Sequence, residues 1–128
     1  MKLHTIAILL VAGILAGAAS GCLAVAAGAA AGGTLVYIKG ELQETLAAPI
    51  DRTAVATEKA LATLEITADS ATKDGLTGEY VAHLADMSRV VIQLRNTGPE
   101  STRVGIRVGV VGDRATSERI MAAIRANL

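Results

Sequence analysis

The chain has 128 residues, room for one small domain and a leader. Lys plus Arg and Asp plus Glu both number 12, so zero net charge excludes a basic field for nucleic acid and an acidic tail. Two Tyr with no Phe or Trp exclude a base-stacking surface and an aromatic-lined pocket, and a single Cys excludes an internal disulfide.

The N-terminus reads as a lipoprotein signal peptide over residues 1–21. Lys2 supplies the charged start, and Ile6 to Ala19 is an uncharged apolar run of leader length. The run ends in Ala19-Ser20-Gly21-Cys22, small residues before a thiol that can form a thioether to diacylglycerol. Cys22 is therefore the expected lipidation site and the first residue of the mature chain. Two plainer readings stand beside it. Residues 5–33 are long and apolar enough for one uncleaved transmembrane helix. Alternatively, Cys22 is an ordinary buried cysteine of a secreted protein. Acyl chains hold a protein at a membrane without a span, and Leu rather than Asp at position 23 matches, by analogy with enteric-type sorting, an outer-membrane destination facing the periplasm.

Residues 22–33 form an Ala/Gly tether, and composition changes at Thr34, where the folded domain, residues 34–128, begins. Thr34 to Ala47 is expected as one strand with Val36, Ile38, Leu42 and Leu46 inward. Gly40 sits on that parity and marks a bend or a close approach. Asp51 and Glu44 are expected as solvated charges. Pro49 starts a helix with the stripe Ile50, Ala54, Leu61 and Leu64. Ile66 to Thr72 is a short polar strand at an edge. Lys73-Asp74-Gly75 signals a tight hairpin turn, Leu76 to Ala85 the next strand, and Asp86-Met87 a second hairpin. Arg89 to Arg95 alternates with Val90, Ile92 and Leu94 inward, and Asn96-Thr97-Gly98-Pro99 is a loop. Thr102 to Val111 alternates again, with Val104, Ile106, Val108 and Val110 inward. Asp113 caps a last helix whose stripe is Ile120, Met121, Ile124 and Leu128. The order β-α-β-β-β-β-α predicts an α+β two-layer sandwich, an antiparallel sheet covered on one face by two helices in a helix-grip-like arrangement.

The Cys22 box, the Ala/Gly tract, Tyr37-Ile38-Lys39-Gly40-Glu41-Leu42, Lys73-Asp74-Gly75-Leu76-Thr77-Gly78 and Val104 to Asp113 occur in an order and spacing that resemble a small bacterial lipoprotein family, the domain of unknown function numbered 3568. The resemblance covers essentially the whole chain. It implies a cell-envelope lipoprotein and brings no activity, cofactor or catalytic residue with it.

Chemistry is sparse. His4 lies in the leader, and His83 has no identifiable orienting partner, so no catalytic residue is expected. Metal ligands at usable spacing and a phosphate loop are also missing from the sequence, and no cofactor is expected. One feature stands out: Arg89, Arg95, Arg103 and Arg107 share the outward parity of two adjacent strands. Either they make a solvated sheet face balanced by Glu79 and Asp86, or they form a positive patch for lipid headgroups, lipopolysaccharide phosphates or an acidic envelope protein. The expected function is a non-enzymatic envelope lipoprotein held at the membrane by Cys22, with no nucleic-acid partner. The alternative is a periplasmic small-molecule or lipid-binding module using a groove between sheet and helices.

Overall fold

The computed structural model describes residues 34–128. The expectations for the leader, for Cys22 and for the tether lie outside these residues. Over the described residues the chain forms β1 (Val36–Ile38), β2 (Glu41–Leu46), α1 (Ile50–Thr63), β3 (Ala68–Lys73), β4 (Thr77–His83), β5 (Arg89–Gly98), β6 (Ser101–Val108) and α2 (Arg114–Ala126). The strands make one antiparallel sheet in the order β1-β2-β6-β5-β4-β3, and both helices lie on one face. This is the α+β two-layer sandwich that the periodicity predicts, with the expected first strand folded into two.

That split is made at Lys39-Gly40. Ile38 pairs with Glu41, leaving a two-residue loop in which Lys39 (φ 51°) and Gly40 (φ 81°) both take positive φ. Such a loop has the right-handed twist that a tight hairpin needs. The reversal releases β1 from the core parity, so Ile38 is exposed whereas Leu42 and Leu46 are buried.

The core is a set of cross-strand rows under the helices. Leu42, Ile106, Ile92 and Tyr80 stand in register across four neighbouring strands, and all four are buried. Val90 pairs with Val108 and Leu94 with Val104, again buried. Directly opposed apolar pairs of this kind are the main local stabilisation of a sheet face. Ile50, Ala54, Ala60 and Leu61 of α1 and Ile120, Met121 and Ile124 of α2 close the other side. Small residues also face inward on α1. Buried Thr53 and Thr57 donate their hydroxyls to carbonyls four residues back, at 3.0 Å and 2.8 Å, which satisfies groups that would otherwise be costly to bury.

Helix ends follow local chemistry. The carboxylate of Asp113 accepts from the Thr116 N–H at 3.1 Å and caps α2. The Thr116 hydroxyl, which donates to the same carboxylate at 2.7 Å, and then this N–H hold the Asp113 carboxyl below the usual carboxylate range. Tyr80 reaches under α1, where its hydroxyl donates to Glu58 at 3.2 Å; burial first, then the Glu58 charge, push it up to about 12.

Two turns differ from expectation. The β3–β4 connection, Asp74 to Leu76, does not rely on positive φ at Gly75. The Asp74 carboxylate instead accepts from the N–H groups of Leu76 and Thr77 at 2.7 and 2.8 Å. The loop expected at Asn96-Thr97-Gly98-Pro99 is largely strand: β5 runs to Gly98, which pairs with Ser101 across a tight turn.

Glu44, expected as a solvated charge, is 1 % exposed among core residues. Neither carboxylate oxygen has a hydrogen-bond partner among the described residues, and the Arg125 Nε stands 3.6 Å from Oε2. Burial raises its pKa above the ordinary 4.5, and the Arg125 charge opposes this only in part. A carboxyl with a raised folded-state pKa binds its proton more tightly when folded. Its contribution is fully present below pH 4.5 and is lost as pH rises through the folded-state value. Glu44→Met removes the buried charge and leaves a half-exposed arginine. It is expected to stabilise the domain by about 1–3 kcal/mol at pH 8 and by less at pH 4.5. Urea unfolding at the two pH values checks this; equal effects at both would refute the assignment.

Candidate functional site

The uncovered face of the sheet is set by alternation. With Val90, Ile92 and Leu94 inward, β5 turns Arg89, Val91, Gln93 and Arg95 outward; β6 turns Arg103, Gly105 and Arg107 to the same side. Gln93 is in register with Gly105, and Gly105 in turn with Gln43 of β2. The four arginines predicted as a patch therefore do share one open face.

They do not act as one unit. Arg95 and Arg103 are directly opposed across β5 and β6. Like charges at directly opposed positions repel, and no carboxylate lies within ion-pair distance of either among the described residues. The carboxylates on this face are engaged by amides instead: Gln43 Nε2 donates to Glu41 Oε1 at 2.9 Å, and Gln93 Nε2 to Glu79 Oε2 at 3.2 Å. The Glu41 side chain lies across Gly105, where a Cβ would come within 2.5 Å of Oε1. A hollow of about 180 Å³ lies here between Glu41, Gln43, Gln93, Arg95 and Arg103, floored by Gly105.

Arg107 has a structural task. It donates to the Val110 carbonyl at 3.3 Å and to the Lys39 carbonyl, tying the β1–β2 turn to the loop after β6. Together with Arg89 it borders a second hollow of about 570 Å³, whose apolar lining comes from Met87, Val91 and Val110. Both hollows open on the uncovered face. On the other side, the space between sheet and helices is filled by the core, with Leu42, Ile92, Ile106, Ile120 and Ile124 fully buried. The two hollows thus lie on the face away from the helices.

Val110 corrects a further expectation. The inward parity stops at Val108 because Gly109 takes φ 72° and turns the chain, leaving Val110 94 % and Val111 90 % exposed. His83 is exposed on the open face and pairs with Asp69 across β3 and β4. Among the described residues there is no group of three or more His, Cys, Asp or Glu that could hold a metal ion. No helix among them is long and apolar enough to cross a membrane. Cys22, the predicted lipidation residue, lies outside the described residues.

A helix-covered antiparallel sheet with a polar, arginine-bearing outer face defines a small α+β domain. The chain belongs to the family described as Protein of unknown function (DUF3568), whose model matches residues 5–127. The match takes in most of the apolar N-terminal run as well as the folded domain. No curated protein sequence matches the chain.

Proposed function

We propose that this protein is a non-enzymatic lipoprotein of the bacterial cell envelope, fixed to a membrane through lipidated Cys22 and acting as an interaction module on the periplasmic side of the outer membrane. The anchor reading rests on the sequence: an uncharged apolar run ends in small residues immediately before the chain's one cysteine. The interaction reading is carried by a single observation. Arg95 and Arg103 oppose each other on an uncovered face while the nearby carboxylates are engaged by Gln43 and Gln93. Opposed cations with no ion-pair partner among the described residues lower the stability of the free domain, and an anionic partner relieves that repulsion on binding. An acidic envelope protein or an anionic lipid supplies the required charge.

Palmitate labelling followed by crosslinking in the native envelope tests both parts. Cys22→Ser is expected to abolish the label and release the protein from the membrane fraction. Arg95→Glu with Arg103→Glu is expected to reduce crosslinked product at least tenfold at low salt, without loss of the folded domain. Arg107 is left intact in that variant because it ties two turns together. A Cys22→Ser protein that still labels refutes the anchor, and unchanged crosslinks refute the face.

A further inference from the structure

One end of the sheet gathers the β1–β2 turn, the β4–β5 turn and the loop from β6 to α2. These connections expose Met87 (75 %), Val110 and Val111, and the adjoining end of β1 exposes Ile38 (50 %). Large apolar side chains exposed together on the tips of separate turns are unusual for a surface that meets only water. At the opposite end Leu76 is the corresponding exposed apolar side chain, in the turn built on Asp74. The two ends therefore differ in apolar character.

The charges at the apolar end are also arranged. Arg89 and Arg107 are diagonal neighbours on β5 and β6, because Val91 is the residue opposite Arg107. Diagonal positions lie roughly 7–8 Å apart, a spacing that long side chains close around one phosphate. Both line the hollow that Met87 and Val110 border. Lys39 sits in the adjoining turn. Asp86 also lines this hollow, where its carboxylate accepts from the Ser88 N–H at 2.9 Å, and Asp113 caps α2, so Lys39, Arg89 and Arg107 stand here against two carboxylates. Apolar prongs beside cations that make no ion pair among the described residues match the boundary between acyl chains and anionic headgroups, where apolar groups enter the membrane and basic groups stay at phosphate level.

We propose that this end of the domain docks on the surface of an anionic lipid bilayer, with a headgroup phosphate between Arg89 and Arg107 and with Met87, Val110 and Val111 entering the headgroup–acyl boundary. The inference deepens the envelope reading by naming the partner and the contacting end. Chain length permits it. The stretch from Cys22 to Thr34 reaches at most roughly 40 Å when extended, and Thr34 to Lys39 covers only about 17 Å. An anchor at Cys22 therefore leaves this end free to touch the same bilayer.

The chain contains no Trp, so one introduced Trp reports on one place. The full-length protein with Val110→Trp, or with Leu76→Trp as the opposite-end control, is reconstituted into vesicles containing brominated lipids. One vesicle set is all phosphatidylcholine; the other contains phosphatidylglycerol. Trp at 110 is expected to lose at least half its emission in phosphatidylglycerol vesicles, and Trp at 76 to change by less than a tenth. Arg89→Glu in the Val110→Trp background is expected to reduce that quenching at least twofold. Equal quenching at the two positions, or none at 110, overturns the proposal. So does a Trp at 110 already shielded from aqueous iodide before lipid is added, since this end is then covered by the protein itself. The mass of Cys22 in the same samples separates the two claims. A lipidated chain with an unquenched Trp at 110 refutes the docking alone, and a quenched Trp on an unmodified Cys22 refutes the anchor alone.

Discussion

Gly112→Ala is expected to cost the domain roughly 3–5 kcal/mol and to leave much of it unfolded at ambient temperature. Two causes act together. Gly112 takes φ 93°, a conformation that side chains rarely adopt. A Cβ there would also stand 2.5 Å from both the Cα and the carbonyl oxygen of Gly40 and 2.6 Å from the Tyr37 hydroxyl. Tyr37 can swing aside, but Gly40 cannot. It is itself held at φ 81°, and a Cβ on it would meet the Val111 carbonyl oxygen at 2.6 Å. The β1–β2 turn and the loop after β6 thus pack backbone against backbone. Gly109→Ala makes the comparison specific: its φ is also positive, at 72°, but a Cβ there meets nothing within 4 Å. That variant is expected to cost only about 1–2 kcal/mol. Urea unfolding followed by circular dichroism reads the difference as a shift in midpoint at constant slope. Similar costs for the two glycines would refute the close approach.

Ile106→Ala is expected to cost about 3–5 kcal/mol, the usual range for emptying a well-packed core site. Ile106 is fully buried between Leu42 and Ile92, its partners on the two flanking strands, so no solvent-facing side chain is placed to collapse into the gap. Val91→Ala removes volume from the other face of the neighbouring strand, where the side chain is only half-buried. It is expected to cost less than about 1 kcal/mol. A pair of melting curves distinguishes the two faces. Comparable losses would mean that something covers the open face in the folded protein.

Where residue types alternated cleanly, the sequence was enough to orient them. Val90, Ile92 and Leu94 point inward and Arg89 and Arg95 outward, as their period of two requires, and Asp113 caps α2 as its position before the last apolar stripe implies. The arginine face was legible for the same reason. Its division was not, because Arg107 is tied down by carbonyls of Lys39 and Val110, which are brought to it by tertiary contact. Glu44 shows the opposite failure. Its parity with Leu42 and Leu46 places it inward, yet its charge argued for solvent, and the parity prevailed. The hairpin at Lys39-Gly40 was hidden because the apolar residues keep even positions on both sides of the turn, although the two-residue loop pairs Ile38 with Glu41 and so puts the even positions of β1 on the outer face. Val110 was misplaced for a related reason: the apolar alternation runs on past Gly109, but positive φ there ends the strand.

The anchor is the central claim, and the intact mass of the protein purified from its native membrane tests it most directly. The account predicts a chain that begins at Cys22 and carries diacylglycerol on the sulfur with a further acyl group on the amine. An unmodified polypeptide that still begins at Met1 would contradict it.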